Sequence, residues 1–156
     1  WVRDGTLVSA DPKRELRAYE RALAVSGDRA IVGADIVGQG QGALIVFERD
    51  KDGWHQREVI DFTEGTWTFV TSIAFDGDGF VAGLAGDGLG GSVRSYRRDN
   101  GTWREAQRLA PQGLRDDAAF GWSLAVSGNL LLVGAPDQYI GQSSKAGAAY
   151  VYTRSP

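Results

Sequence analysis

The 156-residue sequence predicts an all-β protein, made of small antiparallel sheets that repeat along the chain and stack face to face. Three observations predict this class. Ala22-Leu23-Ala24-Val25-Ser26-Gly27-Asp28, Ser72-Ile73-Ala74-Phe75-Asp76-Gly77-Asp78 and Ser123-Leu124-Ala125-Val126-Ser127-Gly128-Asn129 align, with Leu23, Ile73 and Leu124 spaced 50 and 51 residues apart. A fixed period of this size marks a repeat architecture. Each segment carries a Gly-Asp or Gly-Asn pair between apolar runs, the signal of a hairpin. The runs Ala30–Ala34, Ala43–Phe47, Leu130–Ala135 and Ala148–Tyr152 are almost continuously apolar. Strands of that kind are buried on both faces.

Each element follows from its place in the repeat. An aromatic (Tyr19, Phe69, Phe120) stands four residues before the aligned core of the first strand, and a glycine (Gly33, Gly83, Gly134) ten after it. A further glycine (Gly42, Gly91, Gly147) leads five residues on to Phe47, Tyr96 and Tyr152 in a third strand. Trp54 and Trp103, with Ile60 and Leu109 six positions later, open polar outer strands suited to an exposed rim. The third copy reaches Pro156 before its tryptophan is due, while Trp1 has Leu7 six residues on. Residues 1–10 therefore complete the third copy, and Trp1–Val8 is expected to be an outer strand. The chain reads as one domain, with repeats at about 16–64, 65–113 and 114–156 plus 1–10. No stretch predicts a convincing helix; Lys13–Tyr19 could make one turn or a connection.

Composition excludes more chemistry than it suggests. Lys and Arg total 17 against 20 Asp and Glu, a formal net charge of −3, which gives no footprint for nucleic acid. No apolar run approaches a helical membrane span. The chain has no cysteine, which removes disulfides, thiolate catalysis and Cys-ligated zinc. His55 is the single histidine. Trp1 is preceded by no charged-then-apolar leader, so a signal peptide is expected to be absent or already removed. The lack of Cys and Met fits an oxidising exterior.

The segment from Ala119-Phe120-Gly121-Trp122 through Val133-Gly134-Ala135-Pro136 to Gly147-Ala148-Ala149-Tyr150-Val151-Tyr152 resembles the FG-GAP repeat, whose name spells its Phe-Gly and Gly-Ala-Pro signatures. The first copy departs from it at Tyr19-Glu20 and Gly33-Ala34-Asp35, the second at Phe69-Val70 and Gly83-Leu84-Ala85. The resemblance implies β-propeller blades like those of the integrin α-subunit head, and extracellular binding or adhesion roles. Known propellers close with roughly four to eight blades, so three leave apolar faces open. Two chains supply about six, each adding Trp1, Val2 and Leu7 as the outer strand of its partner's last blade, a reciprocal exchange that closes a dimer. The same donation, if the rotation does not close, propagates a filament; a piece cut from a longer propeller is the third possibility.

Each candidate site also has a plainer role. Asp76-Gly77-Asp78-Gly79 suggests a calcium loop, but calcium takes six to eight oxygens, and the next alternating position is Phe80. Asp28, Asp78 and Asn129 fit turn positions that tolerate left-handed backbone. Asp116-Asp117 point to opposite sides if extended and suit an exposed loop better than acid–base work. Gly38–Gly42 and Gly86–Gly91 lack the Gly-Lys-Ser/Thr ending of a phosphate loop and read as flexible turns. Between its two landmark glycines the second-to-third-strand connection spans 9, 8 and 13 residues in the three copies. Loops on one face of a repeat scaffold commonly carry binding. The longest contains Asp137, Gln138 and Tyr139, and with Trp122 these are the ligand-site candidates. A length difference without a ligand is the plainer reading. Trp1, Trp54 and Trp103 could be sugar platforms or blade packing. Arg94, aligned with Ile45 and Tyr150, needs a partner if buried.

The functional expectation is a non-enzymatic extracellular binding or adhesion module for carbohydrate or a protein surface, with no catalytic residue, metal or cofactor. The alternative is a structural subunit building a filament or surface layer. An enzyme, or an accessory blade set of a hydrolase, is the third, without a nucleophile–base pair or metal set to support it.

Overall fold

Apolar runs separated by short glycine turns fold into meanders of neighbouring antiparallel strands. The computed structural model describes residues 1–10, 15–63, 67–141 and 145–154. The first sheet contains β1 (Leu16–Ser26), β2 (Arg29–Ile36), β3 (Gln41–Asp50) and β4 (Gly53–Asp61) in that spatial order. The second repeats the order with β5 (Phe69–Asp76), β6 (Gly79–Ala85), β7 (Ser92–Asp99) and β8 (Thr102–Leu109). The third has β9 (Ser123–Ser127), β10 (Leu130–Ala135) and β11 (Ala148–Thr153). No helix occurs among the described residues, so none there is long and apolar enough to cross a membrane.

β1 lies against β5 and β5 against β9, so the first strands form a common hub. The sheets make an open stack, not a closed ring. Ladder irregularities recur at repeat-equivalent places: between Val46 and Phe47 beside β4, and between Ser95 and Tyr96 beside β8. A bulge at such a place increases the local twist of the outer strand pair.

Two cores fill the gaps between sheets. Between the first and second, Ile31, Leu44, Val46, Phe62, Leu84 and Tyr96 pack with Trp103. Phe80 stacks on Tyr96 with ring centroids 4.8 Å apart and meets Trp103 edge-on at 4.9 Å. Pairs of this geometry add about 0.5–1.5 kcal/mol each beyond buried area. Between the second and third, Phe120 packs with Val81, Val93 and Val133, its ring edge-on to Tyr150 at 5.2 Å. Arg94, 4 % exposed, crosses the first gap: Nη1 donates to Glu105 Oε2 at 3.3 Å, and the guanidinium lies 5.2 Å from the Phe62 ring. Its partner is thus an acid of the neighbouring strand.

Several expectations are corrected. β3 and β6 are buried along nearly their whole length, but β10 and β11 alternate, leaving Leu130, Leu132 and Val151 exposed. No sheet covers that side. The turn residues in left-handed backbone are Gly27, Gly77 and Gly128, with φ of 58°, 59° and 58°, and not Asp28, Asp78 and Asn129. A type II′ hairpin needs positive φ only at its first central position. Trp1, Val2 and Leu7 lie in no strand, because the free edge of β11 has no described segment of this chain beside it. Instead Leu7 packs on the outer face of the first sheet with Ala30, Ala34 and Ile45, while Trp1 and Val2 are exposed. Asp4 there accepts from Arg49 Nη1 at 2.8 Å and Trp54 Nε1 at 3.3 Å. Of the two alternatives at Lys13–Tyr19, one helical turn is absent where the residues are described, since β1 begins at Leu16; residues 11–14 lie outside the described residues.

Candidate functional site

Because the first strands all run the same way, the stack has two unlike ends. The hairpin turns at Gly27-Asp28, Lys51-Asp52, Gly77-Asp78, Asn100-Gly101 and Gly128-Asn129 gather at one. The β2–β3, β6–β7 and β10–β11 connections and the chain leading into β5 and β9 gather at the other, the loop end.

The turn end is held by ions that cross between sheets. Asp76, 8 % exposed, accepts from both Arg97 of its own sheet and Arg154 beyond β11. Burial pushes the Asp76 carboxyl up, but the two guanidinium groups outweigh it and hold the group below its ordinary value. Arg98 pairs with Glu48 at 2.6 Å, and Arg29 Nη1 donates to the Asp78 carbonyl at 2.8 Å, tying the first two sheets. His55 Nε2 lies 3.1 Å from Asp50 Oδ1, and Arg57 Nη2 donates to Oδ2 of the same carboxylate at 2.8 Å. Asp76, the leading residue of the suggested calcium loop, is thus occupied by cations. Among the described residues no three His, Cys, Asp or Glu side chains gather as a metal site.

The loop end carries exposed apolar groups beside its charged ones. Among the described residues, Val37, Trp67, Phe69, Leu89, Trp122 and Ile140 are exposed there. The other exposed large apolar groups are Leu23 and Val25 on the first sheet's outer face, Leu130, Leu132 and Val151 on the third's, and Trp1, Val2 and Val8. Trp67 is 62 % exposed, yet its backbone is fixed on both sides. The Thr68 N–H donates to the Gly40 carbonyl at 3.2 Å. Gly86, at φ 77°, lets the β6–β7 connection approach so closely that a Cβ there would overlap the Trp67 carbonyl. The glycine-rich connections are turns, as expected, but close packing, not flexibility, is why this one needs glycine.

Trp67 and Phe69 flank a cleft of about 350 Å³ between the first two sheets, lined also by Arg17, Asp35 and Gln39. Asp35 faces Arg17 across the β1–β2 ladder. Its Oδ1 is shielded from water and accepts no hydrogen bond. Burial pushes this carboxyl above its ordinary value, with Arg17 opposing.

The residues singled out from the sequence fall in two places. Asp137, Gln138 and Tyr139 share the β10–β11 connection, where neighbouring groups already engage them. The Arg115 guanidinium sits 4.1 Å from the Tyr139 ring centre, Lys145 lies 3.6 Å from Asp137, and Gln138 Nε2 donates to the Tyr139 carbonyl at 3.1 Å. Asp117 of the Asp116-Asp117 pair lies 3.8 Å from that lysine. Gln142, Ser143 and Ser144 of this loop lie outside the described residues. Trp122, 46 % exposed, stands apart at the start of β9. Trp54 and Trp103 are packing groups, under Arg49 and Arg98 respectively. Sequence reasoning missed Trp67, Phe69 and Asp35 as a group. Trp67 falls at no landmark of the repeat, and that departure was the available signal.

The loop end also explains the Phe-Gly and Gly-Ala-Pro signatures. Gly121 N–H donates to the Gly134 carbonyl at 3.0 Å, and the Gly121 carbonyl accepts from Thr71 and Ser72 hydroxyls at 2.7 and 2.8 Å. One motif clasps the other, and the Phe-Gly motif binds the preceding sheet. No curated protein matches the chain. The family model described as FG-GAP repeat matches residues 103–152, from the tryptophan of β8 through β11. That span contains the clasp, and the match agrees with the FG-GAP resemblance of the third copy.

Proposed function

We propose that this chain is a non-enzymatic, extracellular binding or adhesion module that engages carbohydrate or a protein surface through its loop end. FG-GAP repeats typically occur in extracellular proteins and suit a binding or adhesion module. The observation that carries the reading is the gathering of exposed Val37, Trp67, Phe69, Leu89, Trp122 and Ile140 at one end, against an ion-paired opposite end. Contiguous exposed apolar groups rimmed by polar ones mark interaction surfaces. The single histidine lies at the other end, bonded to Asp50, and so supplies no base to the cleft. The test is surface plasmon resonance against immobilised glycans and cell-surface proteins. Binding is expected, and Trp67→Ala with Trp122→Ala should abolish it; binding that survives both changes contradicts the reading.

A second reading concerns assembly. The free edge of β11 and the apolar outer faces of the first and third sheets favour a second copy of this chain, closing about six blades into a dimeric ring. In it Trp1, Val2 and Leu7 leave their coil and pair with the partner's β11. A structural filament uses the same surfaces without closure. Light scattering before and after removal of residues 1–8 separates them: a dimer that becomes monomeric supports the ring, and a broad high-mass distribution supports the filament. A monomer of the same mass in both cases excludes each.

A further inference from the structure

The geometry points to the cleft between Asp35 and Trp67 as a subsite for one neutral pyranose ring. This deepens the binding reading above and rests on it. Four features of the cleft select the ligand. Its volume, about 350 Å³, lies near the lower end of the roughly 300–1,000 Å³ range of small-molecule sites. The Trp67 indole supplies a flat apolar wall, and its backbone is held through Thr68 and beneath Gly86. A pyranose has such a face in its axial C–H groups. Asp35 lines the cleft opposite Arg17 and brings a carboxylate acceptor to it. A ligand hydroxyl that donates to an ionised carboxylate makes one of the stronger hydrogen bonds. Gln39 and Arg17 at the rim add donors, and the Gln39 amide an acceptor, for further hydroxyls.

Charge decides against the other candidates. Arg17 and Asp35 face each other in register, so the cleft carries no net charge from this pair. An ammonium ligand gains Asp35 but meets Arg17; a carboxylate gains Arg17 but meets Asp35. A neutral polyol uses both as hydrogen-bond partners.

The test is saturation-transfer NMR on the whole chain with four probes: the methyl pyranosides of glucose, galactose, mannose and N-acetylglucosamine. At least one is expected to bind. Trp67→Ala and Asp35→Asn should each weaken it by about tenfold, whereas Tyr139→Ala should leave it unchanged. Thermal melts of each variant establish that the fold survives, and Trp67→Phe, which keeps a ring, should restore part of the binding. No transfer to any probe at millimolar concentration, or transfer that persists in both Trp67→Ala and Asp35→Asn, overturns the subsite. The wider reading fails separately: if no sugar binds but the chain still captures a cell-surface protein through Trp67 and Trp122, the subsite falls and the binding face stands.

Discussion

The two ends of the sheet stack are made by the same repeat, yet they differ in almost every physical respect. At the turn end, two-residue hairpins leave no slack, and the charges they carry bridge neighbouring sheets through Arg29, Glu48, Asp76, Arg97, Arg98 and Arg154. At the loop end, connections vary in length, and aromatic groups stay in water on a backbone fixed by close glycine contacts. Cross-sheet ions hold one end together, while the other, the surface proposed above for binding, keeps its aromatic groups exposed. On that proposal the repeat separates stability from recognition by direction along its strands.

The largest expected effect comes from glycine at the loop end. Gly86→Ala places a side chain at positive φ, worth about 1–3 kcal/mol of strain, and drives its Cβ into the Trp67 carbonyl. Gly27→Ala at the turn end meets nothing within 4 Å and loses only the conformational part. Chemical denaturation should rank Gly86→Ala clearly below Gly27→Ala; equal losses would mean that the close approach is unimportant.

Asp76→Ala should be next, at about 1.5–3 kcal/mol, because it removes hydrogen bonds between charged groups. In a chain of this size that is a fall of about 2–4 °C in melting temperature per kcal/mol.

Acid titration sharpens the contrast, since the carboxyls at the two ends shift oppositely. Asp76 is held below its ordinary value, so its stabilisation is full above about pH 4 and is lost as pH falls through its lowered folded value. Asp35 is raised, so its penalty is full above its folded value and is relieved as pH falls through it. Denaturation midpoints followed from pH 7 to pH 2.5 should show Asp76→Asn destabilised at neutrality and less acid-sensitive than the parent. Asp35→Asn should be slightly more stable at pH 7, by about 0.5 kcal/mol or less. Curves of the same shape for both variants would remove the electrostatic distinction.

The smallest effect on stability should be Trp67→Ala, within about 0.5 kcal/mol, the usual range for an exposed group. A larger loss would make Trp67 a packing residue.

Much of the fold was legible because its signals are local. The apolar runs and Gly-Asp turns identify β1–β3 and β5–β7 directly, and Trp54 and Trp103 announce β4 and β8. What escaped depends on partners distant in sequence. Leu130, Leu132 and Val151 have the pattern of a doubly buried strand, but burial needs a neighbouring sheet that a strand's own residues cannot reveal. Tyr139 looks like an open ring platform until Arg115, 24 positions earlier, covers it. Trp67 and Asp35 are 32 positions apart and meet only because the first two sheets pack at their loop ends. Aligning the copies draws attention to shared positions; Phe69 is one of them, but Trp67 and Asp35 are not.

The most direct test sets Asp76→Ala beside Trp67→Ala, measuring the melting temperature and the binding of the same immobilised glycans and cell-surface proteins for each. Asp76→Ala should melt lower and still bind, while Trp67→Ala should melt with the parent and bind poorly. If Asp76→Ala loses binding at a temperature where it remains folded, or Trp67→Ala binds like the parent, the division of labour between the two ends is wrong.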